Sequence, residues 1–151
     1  MQAPRAPRLH IRADRRIAAD PTSTALLLAA PAALELWPGL RRVGAVDGRV
    51  LVEADLPQQR EPATASVRVT APRRTPTAYV VDFAWSGPSL PETEGELTLR
   101  YAPGEHGPAT TALLDLDSTE AELLPMAVLT ELAEEFLDNL ARLAESRSSA
   151  A

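Results

Sequence analysis

Residues 119–147 read TEAELLPMAVLTELAEEFLDNLARLAESR. Within them Met126, Leu129, Ala133, Phe136, Leu140 and Leu143 recur at steps of three and four, so they share one face of an α-helix. Leu132, Leu137 and Ala144 widen that face, and Glu131, Glu134, Glu135, Asp138 and Arg142 fall mostly on the other. Thr119 followed three residues later by Glu122 has the spacing of a capping box. Pro125 sits too far in to be a first-turn proline, so the sequence predicts a short turn, a kink at Pro125 and then the main helix. Each buried Leu or Phe is worth about 1.5–3 kcal/mol, so a helix of this kind needs a broad apolar partner.

The rest of the chain supplies a sheet. Residues 1–7, with Pro4 and Pro7, read as a flexible lead-in. Then Leu9, Ile11 and Ala13 alternate with Arg8, His10, Arg12 and Asp14, the pattern of a half-buried strand. Asp20 is placed to cap a helix that has Pro21 at its first position and Leu26–Ala30 as its body. Pro31 begins a second short helix, which Pro38-Gly39 ends. From there the period becomes two and stays two. Residues 40–56 form a hairpin around Asp47-Gly48, a type I′ turn sequence. Four more strands follow, carrying Ala65, Val67 and Val69; Tyr79, Val81, Phe83 and Trp85; Leu97, Leu99 and Tyr101; and Ala112, Leu114 and Leu116. Pro- and Gly-bearing connections at 72–76, 86–91 and 103–108 separate them. Strands joined by short turns pair antiparallel. The expected class is α+β: a curved seven-stranded antiparallel sheet wrapped around a long C-terminal helix, with two short helices after the first strand. Residues 8–147 make one domain, and 148–151 a disordered tail.

Composition narrows the function classes. The 151 residues carry 15 basic and 21 acidic side chains, a net charge of −6, and every basic residue is arginine. Arginine without lysine, beside abundant alanine, reads as a GC-rich bacterial genome. An acidic chain has little electrostatic reason to bind nucleic acid. Without cysteine there is no disulfide, thiolate nucleophile or Cys-ligated metal. No apolar run is long enough to span a membrane, so a cytoplasmic location is expected.

The order of elements, with ADPTSTALLLAAPAALELWPGL at residues 19–40 and FLDNLARLAE at 136–145, resembles the START-like helix-grip superfamily (polyketide cyclase/SRPBCC, coenzyme Q-binding-like). The resemblance covers roughly residues 8–147. It implies a cavity between the concave sheet face and the long helix, holding a hydrophobic small molecule such as a lipid, a quinone or a polyketide-like aromatic. No fixed catalytic motif defines that superfamily, so none is carried over.

The inward positions then name a lining: Val50, Val52, Val67, Val69, Tyr79, Val81, Phe83, Trp85, Leu97, Leu99 and Tyr101 from the sheet, and Met126, Leu129, Ala133 and Phe136 from the helix. The same positions equally describe a closed core. Trp37, in the Trp37-Pro38-Gly39 segment, sits at the cavity mouth as a gate or plugs one end of the core. His10 falls on a polar strand face and His106 in a turn, so both read as surface residues. Asp82 points away from the cavity by alternation and is expected to pair with Arg68 or Arg100. No nucleophile elbow, phosphate loop or metal-ligand spacing exists, so the sequence names no cofactor and no metal. Binding of a hydrophobic molecule leads. The alternatives are a cyclase or hydratase using Tyr79 or Tyr101 as acid/base, and an interaction module that meets its partner through the arginine-rich first strand or the acidic helix face. An exposed edge strand offers a route to a homodimer.

Overall fold

The computed structural model describes residues 8–56, 59–88, 90, 92–105, 107–119 and 125–149. His106 and Glu122 lie outside them. The strands are β1 (Arg8–Ile17), β2 (Leu40–Val46), β3 (Arg49–Ala54), β4 (Ala63–Val69), β5 (Arg73–Arg74), β6 (Ala78–Ser86), β7 (Thr93–Gly104) and β8 (Gly107–Thr119). The helices are α1 (Pro21–Leu28) and α2 (Met126–Ser149), with a 3-10 helix at Pro31–Leu36. The strands form one antiparallel sheet in the order β1-β8-β7-β6-β4-β3-β2, with the two-residue β5 added beside β6.

Local chemistry accounts for most of this. Asp47 and Gly48 both take positive φ (48° and 78°), which closes the β2–β3 hairpin as a type I′ turn between Val46 and Arg49. The Asp20 carboxylate accepts the Ser23 amide N–H at 2.8 Å and, with Pro21 in the first turn, starts α1. That helix ends at Leu28, sooner than its apolar run suggests, and Leu26 points out at 69% exposure. Alternation buries Ile11 and Ala13 of β1 while His10, Arg12 and Asp14 stay exposed.

Three junctions need more than the local pattern. Thr119 is the last residue of β8, paired with Arg8, and the Glu122 partner of the expected capping box lies outside the described residues. Pro125 stands immediately before α2, so the main helix starts after it as expected, and its carbonyl accepts the Leu129 amide at 3.0 Å. The β7–β8 pairing runs through Pro103 opposite Pro108 to Gly104 opposite Gly107, across what reads in sequence as a connection.

The core lies where α2 meets the sheet. Leu129, Ala133, Phe136, Leu137, Leu140, Ala141 and Ala144 of α2 are buried with Ile11, Ile17, Leu97, Leu99, Leu114 and Leu116 of the strands. Of the strands, α2 runs closest to β1. Two contacts hold it there: Arg15 Nε to Asp138 Oδ1 at 3.0 Å, and the Ala18 amide donating to Glu145 Oε2 at 3.2 Å. The helix therefore closes the β1 edge of the sheet and leaves the β2–β4 side to the 3-10 helix, which packs against β2. That asymmetry creates the site.

Candidate functional site

A cavity of about 370 Å³ opens between the far half of the sheet, the N-terminal half of α2 and the α1/3-10 segment. The sheet contributes Val50, Val52 and Ala54 of β3, Ala65, Val67 and Val69 of β4, Val81, Phe83 and Trp85 of β6, and Leu97 of β7. The helix side contributes Leu129, Leu132 and Phe136, and the roof Leu28, Ala33, Leu34, Trp37, Pro38 and Leu40. Ala29 and Ala30 just after α1, Gly48 at the hairpin tip, Val69 at the end of β4, and Thr70 and Ala71 after it line the cavity and are also exposed, which marks the rim.

Four of the chain's six aromatic side chains gather on this wall. Trp37 stacks on Phe136 (centroids 4.5 Å apart, planes at 17°), and Phe83 stacks on Trp85 (5.6 Å, 14°). Trp37 meets Phe83 and Trp85 edge-on at 6.1 and 5.4 Å, joining the two stacks. Trp37 is thus a half-buried part of the cavity wall, fixed between sheet and helix.

Of the residues expected to line the cavity, Trp37, Val50, Val52, Val67, Val69, Val81, Phe83, Trp85, Leu97, Leu129 and Phe136 do so, and Tyr79, Leu99, Tyr101, Met126 and Ala133 do not. Leu99 and Ala133 are fully buried in the closed part of the core. Tyr101 shares the parity of Leu97 and Leu99 but stands near the β7–β8 hairpin at 66% exposure. Met126 opens the first turn of α2 and is 52% exposed. Tyr79 is half-buried, its hydroxyl 3.1 Å from Thr22 Oγ1 of α1. Strand parity selects a sheet face; it does not say where along that face the helix stands off.

None of the described residues lining the cavity is ionisable. Its one side-chain hydroxyl, Thr70 Oγ1, donates to the Asp82 carbonyl at 3.1 Å and accepts the Asp82 amide at 3.0 Å. The described side chains therefore offer a ligand mainly apolar surface and aromatic faces. Asp82 points to the convex face as expected, but its partner is Arg73 of β5 at 2.9 Å, because β5 adds itself beside β6. On that face Asp82, Glu94, Glu96, Asp115 and Asp117, with His10 and Arg68, border a shallow groove. Among the described residues no three His, Asp or Glu side chains are arranged to hold a metal ion. Three arginines of β1 are engaged within the chain: Arg12 with Asp115, Arg15 with Asp138 and Arg16 with the Pro103 carbonyl. Among the described residues no helix is long and apolar enough to cross a membrane.

Sequence reasoning missed the roof and the glycine that lies beneath the Phe83 ring. Ala33 and Leu34 sit in a short proline-started segment with no period to read. Gly95 was readable: it occupies an inward position between Thr93 and Leu97, and glycine inside a strand marks a close approach.

No protein-family model matches the chain, and no curated protein matches it. Solved structures do. The Zhui aromatase/cyclase from Streptomyces sp. R1128 is similar over 93% of this chain and 96% of its own, with a TM-score of 0.66 at 18% identity. A truncated norcoclaurine synthase from Thalictrum flavum is similar over 95% and 97%, with a TM-score of 0.62 at 10% identity. A START superfamily protein from Mycobacterium smegmatis is similar over 91% and 95%, with a TM-score of 0.58 at 16% identity. With its open antiparallel sheet, the short helix after β1 and the long C-terminal helix, the chain has a START/polyketide cyclase-like fold.

Proposed function

We propose that this protein binds an uncharged, apolar small molecule in the cavity between sheet and α2, as a carrier or sequestering protein. The observation that carries the reading is the wall itself: about 370 Å³ of space with no ionisable side chain among its described residues and its one hydroxyl already engaged. Ligand sites of about 300–1,000 Å³ are commonly apolar with a few polar groups for orientation. Here the described lining side chains are almost all apolar or aromatic, so shape and stacking dominate the choice of ligand. A buried carboxylate or phosphate would find no partner and would stay in water. The paired Phe83–Trp85 rings favour a flat ligand, such as a quinone or a polyketide-like aromatic, over a flexible acyl chain. We place the protein in the cytoplasm, and the exposed β2 edge leaves a homodimer open as an assembly.

The fold likeness to an aromatase/cyclase supports a second reading, in which the cavity folds a polyketide-like chain for ring closure. That reading needs a proton-transfer group at the wall, and the positions of Tyr79 and Tyr101 count against them in that role.

Native mass spectrometry of protein purified without detergent, followed by denaturation and extraction, tests the binding reading. A released neutral apolar compound is the expected result. A clean mass, with no thermal shift across a panel of quinones, neutral lipids and polycyclic aromatics, would overturn it.

A further inference from the structure

Gly95 stands near the start of β7, opposite Phe83 of β6 and Leu116 of β8. Its backbone does not need glycine's torsional freedom; the described glycines with positive φ are Gly39, Gly48 and Gly107. What Gly95 supplies is space. A Cβ placed there would collide with Cζ and Cε2 of Phe83 and come within 2.8 Å of Leu116 Cδ2. The Phe83 ring therefore lies down across the bare backbone of β7, and that position aligns it with Trp85. Leu116 crowds the same point from the far strand and Trp85 stacks alongside, so a ring displaced from Gly95 must rise into the cavity it now lines.

We propose that Gly95 is a size-selecting residue: by letting Phe83 lie flat it sets the depth of the cavity, and so the number of fused rings the ligand may carry. This rests on the binding reading above. An apolar cavity of about 150 Å³ holds one benzene. The present 370 Å³ is more than twice that, which corresponds to a ligand of several rings, and its lowest layer depends on the missing Cβ.

The test uses two uncharged fluorescent probes, naphthalene with two fused rings and pyrene with four, titrated into the full chain and its variants. Gly95→Ala is expected to weaken pyrene about tenfold relative to naphthalene, because overpacking removes depth before width. Phe83→Ala, which empties the layer above Gly95, is expected to move the ratio the other way, and combining it with Gly95→Ala to restore pyrene. Should Gly95→Ala not fold, Phe83→Ala alone decides by that shift. An unchanged pyrene-to-naphthalene ratio in the folded variants, with both probes bound by the wild type, overturns the role of Gly95 and leaves the binding reading standing. A wild type that binds neither probe overturns both.

Discussion

Trp37 and Phe136 stack at 4.5 Å with their planes 17° apart, tying the segment before β2 to the middle of α2. One turn further along α2, Asn139 Nδ2 donates to the Leu36 carbonyl at 2.7 Å. One stretch of helix thus holds both the indole and the backbone next to it, and the cavity roof is pinned at that point.

The stack is expected to couple the two residues energetically. In a double-mutant cycle of Trp37→Leu and Phe136→Leu, read by urea unfolding, the coupling should be about 0.5–1.5 kcal/mol beyond the loss of buried area. Additive single effects would mean that the rings only fill space.

Asn139→Ala leaves the Leu36 carbonyl without its partner in a half-buried site. The expected destabilisation is about 1–3 kcal/mol. Asn139→Asp should cost at least as much at neutral pH, since it turns an acceptor toward an acceptor. A denaturation midpoint unmoved in both variants would show that the hydrogen bond contributes nothing.

Tyr79→Phe removes the contact with Thr22 Oγ1 and nothing at the cavity wall. Stability should fall by about 0.5–1.5 kcal/mol at most, while the affinity for pyrene stays within twofold. A large loss of binding would place the hydroxyl in the site after all.

Asp20 links the fold to pH. Its carboxyl is held below the usual carboxylate range, chiefly by the Ser23 amide N–H, with burial opposing the shift. A folded value below the unfolded one, about 3.9, means the stabilisation is full above that value and disappears as pH falls through the folded one. Asp20→Ala should therefore cost about 0.5–2 kcal/mol at pH 7, with wild type and variant converging as pH falls through the lowered folded value. A gap that persists at acid pH would assign the effect to something other than the ionised cap.

Period and turn chemistry carry the fold a long way in this chain. The alternation of Val81, Phe83 and Trp85 with Asp82 is local, and it selects the sheet face because successive side chains of a strand point to opposite sides. Asp47-Gly48 is equally local: the two residues adopt the positive φ their turn requires. The same holds for Asp20-Pro21 at the start of α1. These features identify an antiparallel sheet gripping a terminal helix, and most of the inward-facing set, without reference to anything distant.

What stayed illegible is what distance decides. Thr119 ends β8 opposite Arg8, 111 positions away, a pairing that its own neighbourhood does not announce. Asp82 has arginines on neighbouring strands and pairs with Arg73, because a two-residue strand arrives beside β6. The boundary between cavity and closed core runs between Leu97 and Leu99, residues that the period treats alike. It lies there because α2 settles against β1 and stands away from β2–β4. By itself the sequence determined which residues face inward, since that follows from torsion and period within each element; only the tertiary structure decided which of them meet another side chain and which meet empty space, since that depends on where a rigid helix rests on a twisted sheet.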